Sequence, residues 1–339
     1  ELVVLDLAED RELFELAIGQ GGDIVISPDG RRLYARNLFS LSAHDALTGA
    51  ELWRAELAGP AAARPGASGV AGIRGHGGLG QAAFAVSLDG SRVFHERLGV
   101  IQIRDAASGE SLGQSQPLPS ACPARLYPSP DGDSLLAVCE AQDRIALIDL
   151  TSGRIELVGR ELLPGAIFGS AQSPDGLLVY VVTATNEVLV WDFGAGTFGG
   201  PFPLADEGRV AVSVVGLSPD GRQLAVGFST SGKRFETDLV LSFDTETWRE
   251  AGRVRLSRAT RAHDLLLDGQ GNLLTLVIVN AGGNLSSTVS RIRPNGDLSG
   301  IAPGIVDVAH LTLVLGYNEP TGGIFFPATG RAWTTRESD

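Results

Sequence analysis

The chain has 339 residues, with 40 Asp and Glu against 27 Lys and Arg, a formal net charge of −13, and 43% hydrophobic residues. An acidic balance of this size, with no local Lys/Arg cluster to offset it, repels phosphate backbones and anionic lipid, so nucleic acid is not an expected partner. No apolar run approaches the roughly 20 residues that cross a bilayer, and no helical membrane span is expected.

With 44 Gly and 17 Pro the composition suits a folded chain with many tight turns. At this length one ordinary core is overstretched, which leaves two domains or a repeat architecture. The chain opens on Glu1 and contains no Met. A start removed by a signal peptidase, by lipoprotein processing or by trimming is the expectation.

Taken in order, residues 2–7 and 12–16 are short segments that read as two strands. Next comes Ser27-Pro28-Asp29-Gly30, which returns unchanged at Ser129-Pro130-Asp131-Gly132, Ser173-Pro174-Asp175-Gly176 and Ser218-Pro219-Asp220-Gly221. Degenerate copies stand at Ser87-Leu88-Asp89-Gly90, Asp268-Gly269-Gln270-Gly271 and Glu319-Pro320-Thr321-Gly322. Proline presets φ near −65°, Asp hydrogen-bonds nearby backbone, and Gly accepts the left-handed conformation, so each copy reads as a hairpin tip.

Apolar or β-branched runs flank every tip, as at 210–217 and 223–228. Some 15 to 25 residues past most tips an alternating strand ends in a second polar turn: IQIRDAASGE, IALIDLTSGR and VLVWDFGAGT. Each repeat therefore holds four strands. The tips start at 27, 87, 129, 173, 218, 268 and 319, separations of 60, 42, 44, 45, 50 and 51. No segment keeps helical periodicity over ten or more residues, so a helical solenoid is not expected. Past the seventh tip only 323–328 reads as a strand, with a polar tail after it. The simplest arrangement lets 2–7 and 12–16 complete the unit begun by 305–328, which removes the exposed sheet edges.

Units such as SPDGRRLYARN, SPDGDSLLAVCEAQDRIALIDLTSG and SPDGLLVYVVTATNEVLVWD resemble the bacterial propellers built on YVTN-type and WD40-like repeats, over nearly the whole chain. The resemblance implies an all-β fold: a seven-bladed β-propeller with four-stranded blades, its ring closed by the N-terminal strands pairing with the C-terminal blade. It also implies a single domain over 1–339 with an insertion at about 58–80. Ala43-x-Asp45-x-x-x-Gly49-x-x-x-Trp53 is similar to the tryptophan-docking repeat of quinoprotein dehydrogenases, where the indole packs between blades. It occurs once, and blade packing by Trp53 is the favoured reading, as it is for Trp191.

Cys122 and Cys139 are the only cysteines, seven residues before Ser129 and seven after Gly132. In a hairpin they become neighbours, favouring a disulfide over two buried thiols and, with it, a periplasmic or extracellular site.

Such propellers host enzymes and binding surfaces alike, so fold does not name function. The resemblance puts all SPDG tips on one face of the disc and the inter-blade connections on the other. On that second face the connection at 58–80 carries Arg74 and His76, and STSGKRFETD carries Lys233, Arg234 and Glu236. Arg74, His76, Lys233 and Arg234 are the candidate contacts for a protein or small-molecule ligand.

His44, His76, His95, His263 and His310 are dispersed without metal-ligand spacing, although His263 and His310 fall in or near first strands that line the channel in this family. No GxSxG surrounds any serine, no CxxCH is present, and Asp23 and Asp264 are isolated acids. No catalytic residue, metal or cofactor is therefore assigned. The leading expectation is a non-catalytic extracytoplasmic binding or scaffold module. The alternative is a propeller enzyme of lactonase type that hydrolyses a cyclic ester, with or without a metal.

Overall fold

The computed structural model describes residues 2–6, 11–16, 23–37, 39–57, 84–97, 99–118, 124–139, 144–163, 165–204, 210–218, 220–229, 239–255, 260–267, 273–281, 284–292, 298–306, 312–314, 317–318, 323–324 and 331–335. Strands β1 (Leu2–Asp6) and β2 (Arg11–Leu16) form a hairpin. The first four-stranded sheet follows: β3 (Asp23–Ile26), β4 (Arg32–Arg36), β5 (Ser40–Asp45) and β6 (Glu51–Glu56).

The second sheet holds β7 (Phe84–Val86), β8 (Arg92–Arg97), β9 (Val100–Asp105) and β10 (Ser111–Pro117). The third holds β11 (Ala124–Pro128), β12 (Ser134–Cys139), β13 (Arg144–Asp149) and β14 (Ile155–Val158). The fourth holds β15 (Ile167–Gln172), β16 (Leu178–Thr183), β17 (Glu187–Asp192) and β18 (Thr197–Pro203). The fifth holds β19 (Val210–Leu217), β20 (Gln223–Ser229), β21 (Leu239–Asp244) and β22 (Glu250–Arg255). Each of these five is an antiparallel meander in chain order. Beyond them, β23 (Thr260–Leu267), β24 (Leu273–Ala281), β25 (Asn284–Ile292) and β26 (Leu298–Val306) pair in the same order.

Two expectations for the end of the chain change. Ile305 and Val306 finish β26, pairing with Ser287 and Ser286, and do not begin a new unit. The expected polar tail contains a strand, β30 (Arg331–Thr335), which pairs with β1 from Leu2↔Thr335 to Asp6↔Arg331 and on its other side with β27 (Thr312–Val314). Its Ala332-Trp333-Thr334-Thr335 run has good strand propensity, but the flanking charges and hydroxyls give it a polar appearance. Finally, among the described residues β28 (Tyr317–Asn318) pairs with β29 (Gly323–Ile324), and the rest of the expected strand, 325–328, lies outside the described residues.

Inner strands stand side by side, β3 by β7, β7 by β11, β15 by β19 and β19 by β23, and Tyr127 of β11 donates to Ser170 Oγ of β15 at 2.8 Å. Alternate residues of a strand face opposite neighbours. On β8, Val93 joins Tyr34, Leu41 and Ala43 of the first sheet, whereas Phe94 joins Leu126, Leu135 and Ala137 of the third. The core is thus a series of apolar layers between successive sheets. A fully buried side chain such as Phe94 contributes about 2 kcal/mol.

The SPDG tips repeat atom for atom. Ser27 Oγ donates to Asp29 Oδ1 at 2.6 Å and accepts from the Arg32 N–H at 2.9 Å, and Gly30 takes φ 68°. Ser87, Ser129, Ser173 and Ser218 repeat the serine contact with Asp89, Asp131, Asp175 and Asp220 at 2.5 to 2.7 Å. Hydrogen bonds from Ser87 and Ser91 hold the Asp89 carboxyl down at about 2.

In the turn after each third strand an Asp accepts from backbone two and three residues on, as Asp105 does from Ala107 and Ser108 at 2.9 and 2.7 Å. The two turn types touch within a sheet, through Ala46 N–H to Arg31 O and Ala106 N–H to Ser91 O, both 2.9 Å. They therefore share one end of each sheet, and the connections between sheets leave from the other.

Cys139 is buried and is not a free thiol. Its register partner is Ala124, two residues past Cys122, and Cys122 lies outside the described residues.

Candidate functional site

Arg74 and His76 fall in 58–83, between β6 and β7, and Lys233, Arg234 and Glu236 fall in 230–238, between β20 and β21. All five lie outside the described residues, as does His310. Topology places the ends of both connections at the end of the sheets remote from the SPDG tips. Asp23 opens β3, and His263 and Asp264 lie on β23, both inner strands. Among the described residues no three His, Cys, Asp or Glu side chains gather as a metal site.

Two histidines occupy the interior. His44 on β5 has Nδ1 3.2 Å from Gly49 O and Nε2 2.9 Å from Ser42 Oγ. A carbonyl only accepts, so Nδ1 carries the proton and Nε2 accepts from the Ser42 hydroxyl. Burial pushes the His44 pKa down. Hydroxyl, imidazole and orienting carbonyl are thus arranged like a nucleophile and its base. Ser42 and His44 are only 4% and 6% exposed, however, and no ester carbonyl reaches them there. Their role is structural. Ser42→Ala leaves Nε2 buried without a donor, and urea unfolding is expected to show a loss of about 1–3 kcal/mol.

The second, His95, was legible in the sequence only as a scattered histidine. Aligned on the tips, it stands where Ala35, Ala137, Val181 and Val226 stand in the other described sheets. A polar residue at an apolar repeat position was the available signal. His95 is 0% exposed and faces the first sheet. Its Nε2 accepts from Arg104 Nε at 3.3 Å, while Arg104 Nη1 donates to Gly109 O at 2.8 Å.

Arg36 of the first sheet crosses the gap to donate to Glu96 O at 2.6 Å. Arg97 lies two residues beyond His95 on the same side of β8. Burial, followed by repulsion from Arg36, Arg104 and Arg97, pushes the His95 pKa down to about 3, so the ring is neutral at physiological pH. Burial and the Arg97 charge also lower Arg104. The only register-paired acid of the layer is Asp23, opposite Arg36.

At the tip-side end the same gap is closed by Trp53, whose Nε1 donates to Ala106 O at 3.1 Å, with Tyr34 Oη donating to the same carbonyl at 3.2 Å. The indole packs between sheets, as its sequence context implied.

No family model matches the chain, and no curated protein matches it. Among solved structures, the beta-propeller domain of Cps50 (Swd1) from Myceliophteria thermophila aligns over 93% of this chain and 96% of that one, with a TM-score of 0.60 and 12% identity. Hydrazine synthase from Kuenenia stuttgartiensis aligns over 65% of each chain, with a TM-score of 0.52 and 18% identity. The fold is a β-propeller, WD40-like in its blades. At these identities the likeness concerns architecture alone. Within the propeller, the layer lies between the first two described blades, with Arg36 and Arg97 at strand ends near the connections and Arg104 beside the turn at the tip end.

Proposed function

We propose that the whole chain, 1–339, is one seven-bladed propeller of the bacterial YVTN type, closed by its terminal strands. In this reading it works outside the cytoplasm as a non-catalytic module that presents loops of one face to a protein or small ligand. The pairing of β1 with β30 supports the closure. A bridge between Cys122 and Cys139 accounts for the absence of a free Cys139 thiol and fits an oxidising compartment.

The observation that carries the reading is the segregation of the turns. Hydrogen-bonded tips occupy one end of the first five described blades, whereas the long connections 58–83 and 230–238 leave from the other. The connection 58–83 holds Arg64, Arg74 and His76 and no acid, within a chain of net charge −13. Arg74, His76, Lys233 and Arg234 are the proposed contacts.

The test compares wild type with the Arg74→Ala/His76→Ala double variant in quantitative capture from an extracytoplasmic extract, alongside thermal unfolding. Loss of a specific captured species at unchanged Tm is the expected result, because the substitutions lie in a connection and not in a blade. Capture identical to wild type would remove the site. Metal analysis and a lactone-hydrolysis screen complete the test, since stoichiometric metal with turnover would replace this reading by the hydrolase one.

A further inference from the structure

We propose that the layer between the first two described blades binds an oxyanion, the carboxylate or phosphate group of a small ligand, through Arg97, Arg104 and the Nδ1–H of His95. Access depends on the connection end being the ligand face, so the proposal deepens that reading and rests on it.

The argument starts from a proton. Arg104 has only donors, so the His95 Nε2 it contacts is unprotonated and the neutral ring carries its proton on Nδ1. That nitrogen is buried, and although the Glu96 carbonyl acts on the ring, that oxygen accepts from Arg36 and no acceptor meets Nδ1 with hydrogen-bond geometry. A buried N–H without an acceptor is rare and costs about 1–3 kcal/mol, which invites an acceptor atom.

The surroundings specify the charge of that acceptor. Arg104 contacts Nε2 of the ring, Arg36 reaches the neighbouring Glu96 O, and Arg97 follows two residues on along the same side of β8. Arg36 is held by Glu96 O, and the Glu96 carboxylate is turned back to accept from the Gly99 N–H at 2.5 Å. Asp23 is the one acid in register with the layer, opposite Arg36. An oxyanion supplies the missing acceptor beside Arg97 and Arg104, and guanidinium forks match its geometry.

The next three described blades carry no such combination. The residue before the turn Asp, Arg104 here, is Ile148, Trp191 or Phe243 in the next three blades. Among these four blades the site is thus particular to the second.

The experiment uses the full chain, with phosphate and acetate as probes against chloride at equal ionic strength. Thermal unfolding in about tenfold excess over Kd should raise Tm by about 2 °C for the preferred oxyanion. Titration calorimetry should show at least a tenfold weaker Kd for Arg97→Gln, whose half-exposed side chain is compatible with folding. Phosphate binding without acetate binding assigns a phosphoryl ligand, and the converse a carboxylate.

An independent readout needs no variant. The His95 Nδ1–H resonance in ¹⁵N-histidine spectra of wild type should shift on saturation. Tm and spectra insensitive to both anions would overturn the proposal and point to a trapped water; an Arg97→Gln protein that binds like wild type would do the same. Either failure leaves the capture experiment on Arg74 and His76 untouched, whereas failure of that experiment alone removes the loop contacts and not the oxyanion.

Discussion

Gly109→Ala is expected to destabilise the folded chain by about 3 kcal/mol. Gly109 closes the turn of the second blade at φ 75°, a conformation that costs an alanine about 1–2 kcal/mol. In addition, a β-carbon there would stand 2.5 Å from Cε3 of Trp53 and 2.8 Å from Cδ2. The indole cannot yield without breaking its bond to Ala106 O.

The two costs separate in a double-mutant cycle. On a Trp53→Ala background the steric cost vanishes, and Gly109→Ala should cost only the backbone share of about 1 kcal/mol. Urea denaturation of the four proteins measures this, and an unchanged cost without the indole would show that inter-blade contact plays no part.

The same contact shows what the sequence could and could not reveal. Turn chemistry was legible because it is local: Ser, Asp and Gly at fixed offsets satisfy one another, and every described SPDG tip has the geometry its residues imply. Contacts between blades join residues about fifty apart, as in Trp53 with Ala106, and no local pattern encodes them. Trp248 illustrates the limit. It occupies the glycine position of the fifth-blade turn at φ 56°, and stacks on Phe202 of the fourth blade with centroids 4.5 Å apart and planes at 10°. Where the second blade offers a glycine to its neighbour's indole, the fifth offers an indole to its neighbour's phenyl ring. The backbone strain of one solution is offset by the stacking it permits.

The end of the chain was misread for a related reason. Arg331–Thr335 lies next to no turn motif, and its strand character depends on partners at the opposite end of the sequence. His95 was hidden differently. Its identity is ordinary, and only its repeat position, apolar in the other described blades, marks it.

That position makes acid sensitivity the second large effect. The folded pKa of His95 lies near 3 against an ordinary value of 6.5, so between these limits the unfolded chain takes up a proton that the folded chain refuses. Stability conferred by the neutral ring is complete above about pH 6.5 and is lost as pH falls toward 3, by up to about 1.4 kcal/mol per pH unit. The charged groups acting on the ring are Arg36, Arg97 and Arg104, and Asp23 stands in register opposite Arg36. Asp89, held at about 2, loses its contribution only at lower pH.

His95→Gln keeps an acceptor for Arg104 and removes the titration. From pH 6.5 to 5, wild type should lose about 2 kcal/mol more than the variant in urea unfolding, whatever their relative stability at neutral pH. Parallel stability curves over that interval would mean that the ring takes up its proton in the folded blade, and that the gap between the first two blades is far wetter than a 0% exposed imidazole implies.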